Sequence, residues 1–345
     1  MANMLIDGVY VSLTAPFSRD GSTYRRKLEH NAGRYSLTPA AGLVALAPGG
    51  EGTSLSDEET VETLTTIGHA ASSEKVLVAG LERGSVRGAL WLAEKAWKAG
   101  FDAVLAGAPL HWQQLTNAER ILYLKAIADA SPLPLLLSSD ELPLSIETAA
   151  ELAHHPNVIG MFDTALTIER YLSLMDATRT VKHEVTVTKV FAPVTRRMNT
   201  ATDEATFVSA VSLLEGRALV AAAAPSVKTR TKTVGFQVMA AGSAEDLNHL
   251  LAAGVPGAMP RLATCAPQAV HEVYAAFKDG DPALSKEKCL RLSEGDALLK
   301  ELGIAGIKYA CDLNGYYGGF PRLPRLALSA EQLLRVEQGM ANLKN

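Results

Sequence analysis

Polar and ionisable residues gather just after the apolar runs of this chain. Glu51, Thr53 and Ser54 follow "GLVAL", Glu82, Arg83 and Ser85 follow "KVLVAG", and His111 and Trp112 follow "DAVLAGAP". Ser138, Ser139, Asp140 and Glu141 close "LPLLLSSDE", Asp163 and Thr164 close "NVIGMFDT", and Arg261 lies in "GAMPRLA". Histidine and carboxylates can move protons near neutral pH. Hydroxyls and a guanidinium can donate to the carboxylate of a small acid. On this basis His111, Asp140 and Asp163 are the catalytic candidates. Glu51, Thr53, Ser54, Ser138, Ser139 and Arg261 are the substrate-binding candidates. Most also have a purely structural reading. Glu51 can brace backbone N–H groups in its glycine-rich loop, and His111 can lie at a surface or interface. Asp163 can cap the helix that follows it, and Ser138 and Ser139 can cap a turn.

Strand-like and helical stretches alternate in a way that would bring these groups together. The strand-like runs are 8–14, 42–46, 75–80, 102–109, 133–138, 157–162, 236–242 and 257–263. Helical patterns separate them at 25–37, 56–72, 86–100, 116–131, 146–154 and 244–253. Ser56 and Glu59 read as a capping box, and Thr116 as a cap. Alternation of this kind implies parallel strands with crossover helices. Eight such strands predict an α/β fold, a (β/α)8 TIM barrel, whose sites sit on the loops after the strands. An open doubly wound sheet is the alternative, and no GxGxxG turn supports it. The barrel is expected over residues 1–267, with 177–234 an insertion between helix 6 and strand 7. A helical region follows over 268–345, with helices at 268–279, 283–303 and 329–343. The insertion is basic, holding Lys182, Lys189, Arg196, Arg197, Lys228, Arg230 and Lys232. It reads as a solvated strand face or as a lid or interface. Trp91 and Trp97 read as packing against the barrel.

Composition excludes several classes. With 48% hydrophobic residues the chain can bury a large core, and a net charge of −4 offers no global field for nucleic acid or an anionic membrane. Cys265, Cys289 and Cys311 are scattered and without a CxxC pair, so neither zinc nor a disulfide framework is expected. "GGEG" lacks the GK[ST] of a phosphate loop. No metal and no cofactor is expected. No apolar run is long enough to span a bilayer and no signal peptide is apparent, so a cytoplasmic protein is expected.

Several motifs, in order, resemble the dihydrodipicolinate synthase and N-acetylneuraminate lyase superfamily. They are "LTAPF" (13–17), "APGGEGTSLSDEE" (47–59), "VAGLERGS" (78–85), "AEKAWKAGFDAVLAGAP" (93–109), "HHPNVIGMFDT" (154–164) and "GGFPRLPRLALS" (318–329). The likeness covers about residues 7–165 and 235–343. It implies a class I aldolase-like barrel in which a lysine ending the sixth strand holds a 2-oxo acid as a Schiff base. It further implies a tyrosine relay after the fifth strand and threonine donors after the second. Carried over position by position, the lysine falls on Phe162, or on Met161 one residue away. The threonines fall on Pro48 and Gly49, the relay tyrosine falls near Leu137–Ser138, and the tyrosine pair after the fourth strand becomes Leu110 and His111.

Three readings follow. The protein is a lyase- or hydratase-type enzyme acting on a small carbonyl or hydroxy acid without the lysine. Alternatively, it is a catalytically degenerate barrel that binds a small acid or a partner. Alternatively, a lysine has moved, with Lys189 the first choice among its apolar neighbours. The first is taken forward. The expected partners are a small carboxylic acid and further copies of the chain, as a dimer or tetramer.

Overall fold

In the computed structural model, residues 3–107, 115–140, 143–188, 192–198 and 228–343 are described. Eight parallel strands close into a barrel: β2 (Gly8–Ser12), β3 (Gly42–Ala45), β4 (Val76–Gly80), β5 (Ala103–Ala106), β6 (Leu135–Ser139), β7 (Val158–Asp163), β10 (Gln237–Gly242) and β11 (Gly257–Pro260). These are the eight runs named from the sequence. Helices α1 (Arg25–Ser36), α2 (Asp57–Ala70), α3 (Val86–Lys98), α4 (Asn117–Ala130), α5 (Ile146–Ala153), α6 (Ile168–Ala177) and α7 (Leu247–Ala252) lie between them. Capping boxes start α2 at Ser56 and α4 at Thr116, where side chain and backbone satisfy each other's orphan donors.

Alternation along the strands divides the core in two. Tyr10, Val44, Val78, Leu105, Leu136, Phe162 and Met239 join in one cluster inside the barrel. Val9, Val11, Leu43, Leu77, Leu137 and Met161 pack outward against the helices. The Tyr10 ring lies where a side chain on Gly42 would stand, so Gly42 admits it. Trp91 packs against the outer cluster, whereas Trp97 is exposed beneath the Arg196 guanidinium. The expectation that both tryptophans face the barrel is corrected: at about 100° per residue, six positions carry a side chain to another face of the helix.

The described part of the insertion lies at the opposite end from the loops that carry the candidate site. Its strands β8 (His183–Thr188) and β9 (Thr229–Val234) pair antiparallel, and β8 pairs with β1 (Asn3–Met4) just before the first barrel strand. The Gln237 amide ties this sheet to the barrel floor. Its Nε2 donates to the Met4 and Ile159 carbonyls, and its Oε1 accepts from the Ile6 N–H. Arg196 and Arg197 bind the turns before β4 and β5. Arg197 donates to the Ala71 and Lys75 carbonyls, and Asp102 accepts the Arg196 N–H at 2.6 Å. A lid over the site is therefore not what the described part of the insertion forms. It connects a helix to the start of a strand, and such connections lie at the N-terminal end of a barrel. The stretches 203–216 and 217–225, which hold the insertion's remaining helical and apolar sequence, lie outside the described residues.

The C-terminal region contains α8 (Pro267–Lys278), α9 (Pro282–Leu313) and α10 (Ala330–Gly339). Helix α9 runs past its expected end at 303. Gly303 adopts a left-handed, non-helical conformation there, and the helix resumes to Leu313.

Candidate active site

The ends of the strands bring a mixed set of groups to one mouth. Phe162, the penultimate residue of β7, is 1% exposed and meets the Tyr10 ring edge-on with centroids 5.5 Å apart. Burial, with Asp7 and Asp102 adding to it, pushes the Tyr10 phenol well above its ordinary pKa, so it stays neutral. Two aromatic rings thus fill the barrel centre where the resemblance would place an amine. Met161, the alternative position, is buried on the outer side of the sheet.

The candidates divide according to their partners. Ser138 points inward beside Phe162, since the two residues are paired across β6 and β7, and it is partly exposed. Asp140 follows it and is also partly exposed. Ser139 is fully buried. Its Oγ accepts the Leu144 N–H at 3.1 Å and its carbonyl accepts both the Thr164 N–H and hydroxyl. Asp163 is buried too. Its Oδ1 accepts the Ala165 N–H at 2.9 Å and its Oδ2 the Arg170 guanidinium at 2.6 Å. Arg170 in turn donates to the Leu144 carbonyl. Asp163 therefore fastens the loops after β6 and β7, while Thr167, not Asp163, caps α6. Among the remaining expected residues, Ser85 caps α3 and Arg83 pairs with Asp57. His111, Trp112 and Glu141 lie outside the described residues, as does Lys189. The strands on either side of Lys189 belong to the sheet at the barrel floor.

Glu51 is held from behind. It sits in a left-handed conformation between two short 3-10 turns, Pro48–Gly50 and Gly52–Ser54, and is 1% exposed. Its Oε1 accepts the Arg322 N–H, and its Oε2 lies 2.5 Å from the Lys308 Nζ. Lys308 is itself wholly buried in the continuation of α9. It also donates to the Ala15 and Phe320 carbonyls at 2.8 and 2.7 Å. Burial lowers the Lys308 pKa, while Glu51 opposes that fall. With two carbonyls accepting from it and the Glu51 carboxylate against it, this buried ammonium acts as a bracket between the second loop and the C-terminal region. Arg322 extends the bracket, with a bidentate pair to Glu59 and a donation to the Ser54 carbonyl. Thr53 is exposed on the same loop.

Lys308 is missed by sequence reasoning because the helical pattern breaks at Gly303, five residues before it. The signal was present: a lone lysine inside the apolar run "GIAGIKYAC".

Arg261 begins the turn after β11 and is about a quarter exposed. One Nη lies 3.3 Å from the Asp296 carboxylate, which also accepts the Ser243 hydroxyl at 2.7 Å. Thr164 and the other Nη of Arg261 both flank Gly242, so the ends of β7, β10 and β11 meet here. If Arg261 also holds a ligand carboxylate, Arg261→Ala should weaken the acid by about 1.5–3 kcal/mol, the worth of a charged hydrogen bond. Calorimetry reads this directly, and unchanged affinity would leave Arg261 only its pairing with Asp296.

The closed ring of eight parallel strands with its helices defines a (β/α)8 barrel. Residues 5–187 match the Dihydrodipicolinate synthetase family, and the chain belongs to it. An L-threo-3-deoxy-hexylosonate aldolase of Aspergillus niger is 25% identical over 88% of this chain and 85% of its own length. A 4-hydroxy-tetrahydrodipicolinate synthase of Acidiphilium cryptum is 26% identical over 98% and 99%. Among solved structures, an N-acetylneuraminate lyase of Aliivibrio salmonicida superposes with a TM-score of 0.75 at 20% identity, covering 99% and 98% of the two chains. No described helix is long and apolar enough to cross a membrane.

Proposed function

We propose that this protein is a lyase- or hydratase-type enzyme acting on a small carbonyl or hydroxy acid without a Schiff-base lysine. The observation that carries the reading is Phe162, buried against Tyr10 near the end of β7. An amine there would need a desolvated site and nearby relays, and this centre is aromatic and apolar. The rim retains groups for the other half of the task. Arg261, with Ser138, Thr53 and Ser54, would donate to the carboxylate of the acid. Asp140 and His111 are the acid–base pair: one takes a proton beside the carbonyl or carboxylate while the other protonates a departing hydroxyl. The fixed partners of Asp163 and Glu51 assign them to holding the loops, with contact to the acid a lesser role.

Asp140→Asn is expected to lower kcat on a cognate small hydroxy acid by about 10²–10⁴-fold, the usual worth of a general acid–base group, with KM little changed. A panel of 2-oxo and 3-hydroxy acids followed by mass spectrometry supplies the assay. Ligand binding in calorimetry with no turnover of any member would favour the second reading, a small-acid binding protein. That reading is supported by the ion pairs that engage Asp163 and Glu51. We further place the protein in the cytoplasm as a homo-oligomer. In our division of the chain, the barrel spans residues 1–267 and the helical region 268–345.

A further inference from the structure

We infer that the mouth is built for an acid with one carboxylate and discriminates against a dicarboxylate, with Asp296 setting that charge class. The inference rests on the proposed reading of Arg261 as the guanidinium that holds the acid.

A second carboxylate would need a second cation. In the loops that follow the eight strands, the sequence places lysine or arginine only at Arg19, Arg83 and Arg261. Arg19 is exposed against the Phe320 ring, where water screens its charge. Arg83 donates to the Glu82 carbonyl, the Asp57 carboxylate and the Thr60 hydroxyl. Three cations reach these loops from other elements, and each meets a carboxylate. Arg170 meets Asp163, Lys308 meets Glu51 and Arg322 meets Glu59.

Arg261 is engaged on one side only. One Nη donates to the Asp296 Oδ2 at 3.3 Å, and among the described residues no other group accepts from it. Its other Nη flanks Gly242 beside Thr164. A guanidinium presents N–H groups on more than one edge, so one ligand carboxylate can still be held. The charge of Arg261, however, is already offset by Asp296. A second carboxylate would lose its water without gaining a counter-charge, which is costly.

Asp296 keeps this offset in place. It reaches the mouth from α9 and is 3% exposed. Its Oδ2 also accepts the Ser243 hydroxyl at 2.7 Å and the Ala244 N–H at 3.2 Å. These neutral donors hold the carboxylate independently of Arg261. Its Oδ1 is buried and takes no hydrogen bond among the described residues, and Arg261 is the one cation it pairs with there.

Racemic 3-hydroxybutyrate and malate are suitable probes, because one ends in a methyl where the other ends in a second carboxylate. Calorimetry on the full chain near neutral pH should show 3-hydroxybutyrate binding at least about tenfold more tightly than malate. Asp296→Asn, which keeps an acceptor for Ser243 but removes the charge, should narrow this ratio by at least about fivefold. Ser243→Ala, which keeps the charge, should leave the ratio unchanged. Arg261→Ala should weaken 3-hydroxybutyrate by at least about tenfold. The wild-type ratio is read without any variant, so equal binding of the two acids overturns the inference whether or not Asp296→Asn folds. A ratio that moves as far in Ser243→Ala assigns the effect to loop packing and overturns it as well. An unchanged ratio in Asp296→Asn that is folded by circular dichroism, with Arg261→Ala still losing 3-hydroxybutyrate, overturns the role of Asp296 and leaves the reading of Arg261 standing. Unchanged 3-hydroxybutyrate affinity in Arg261→Ala, or no binding of either acid at about 10 mM, overturns that reading and the inference with it.

Discussion

Phe162→Lys is expected to yield a less stable protein with at most weak imine formation. Phe162 fills the barrel centre against Tyr10, and its neighbours on β6 and β10 are Ser138 and Met239. Removing the ring from such a core costs about 3–5 kcal/mol in comparable truncations. An ammonium without a partner there adds a desolvation penalty unless its pKa falls. The amine would also stand alone. Pro48 and Gly49 bring no side-chain hydroxyl to the second loop, and Leu137–Ser138 provide no phenol after β6. Groups that act as a unit are grossly non-additive, so one restored member recovers little. Urea denaturation measures the stability loss, and retro-aldol assays measure the activity. Substantial aldol cleavage by this variant would mean that the pocket still holds its acid-binding and proton-relay groups.

Lys308→Met should be the most disruptive single change near the mouth. It removes one half of a buried ion pair and leaves Glu51, Ala15 and Phe320 without their donor. Breaking such a pair costs about 3–5 kcal/mol, because the remaining charge stays buried. Lys308→Met/Glu51→Leu should be less destabilised than the sum of the two single variants. The difference should be on the order of 1–3 kcal/mol for residues in contact. Denaturant midpoints for all four proteins close the cycle. Strict additivity would show that the pair does not fix the 48–55 loop.

The barrel was legible because its signals are local. Apolar runs of four to six residues, capping boxes at Ser56 and Thr116 and closely spaced crossovers each report on a few neighbours. The site was legible only in part. Sequence can place Ser138 and Asp140 at a strand end, since the strand itself is visible. It cannot show that Ser139 is buried on the outer face against Leu144, or that Asp163 meets an arginine seven residues on. Those facts depend on how the chain turns after the strand. Glu51 is the sharpest case. Its partners, Lys308 and Arg322, are more than 250 positions away, and only the folded C-terminal region brings them to it. The described part of the insertion does not form a lid, and this was not legible for another reason. Charge content does not reveal which end of a barrel a connection occupies, but the order of helix before strand does.

Reduction with borohydride in the presence of pyruvate tests the lysine-free account most directly. The intact mass of the protein after reduction reports any covalent adduct, and peptide mapping locates it. The account predicts an unchanged mass, because Phe162 and Met161 offer no amine and Lys308 is wholly buried, bound to two carbonyls and paired with Glu51. A stable pyruvyl adduct on any barrel lysine, or on Lys189, would contradict it and establish a relocated Schiff base.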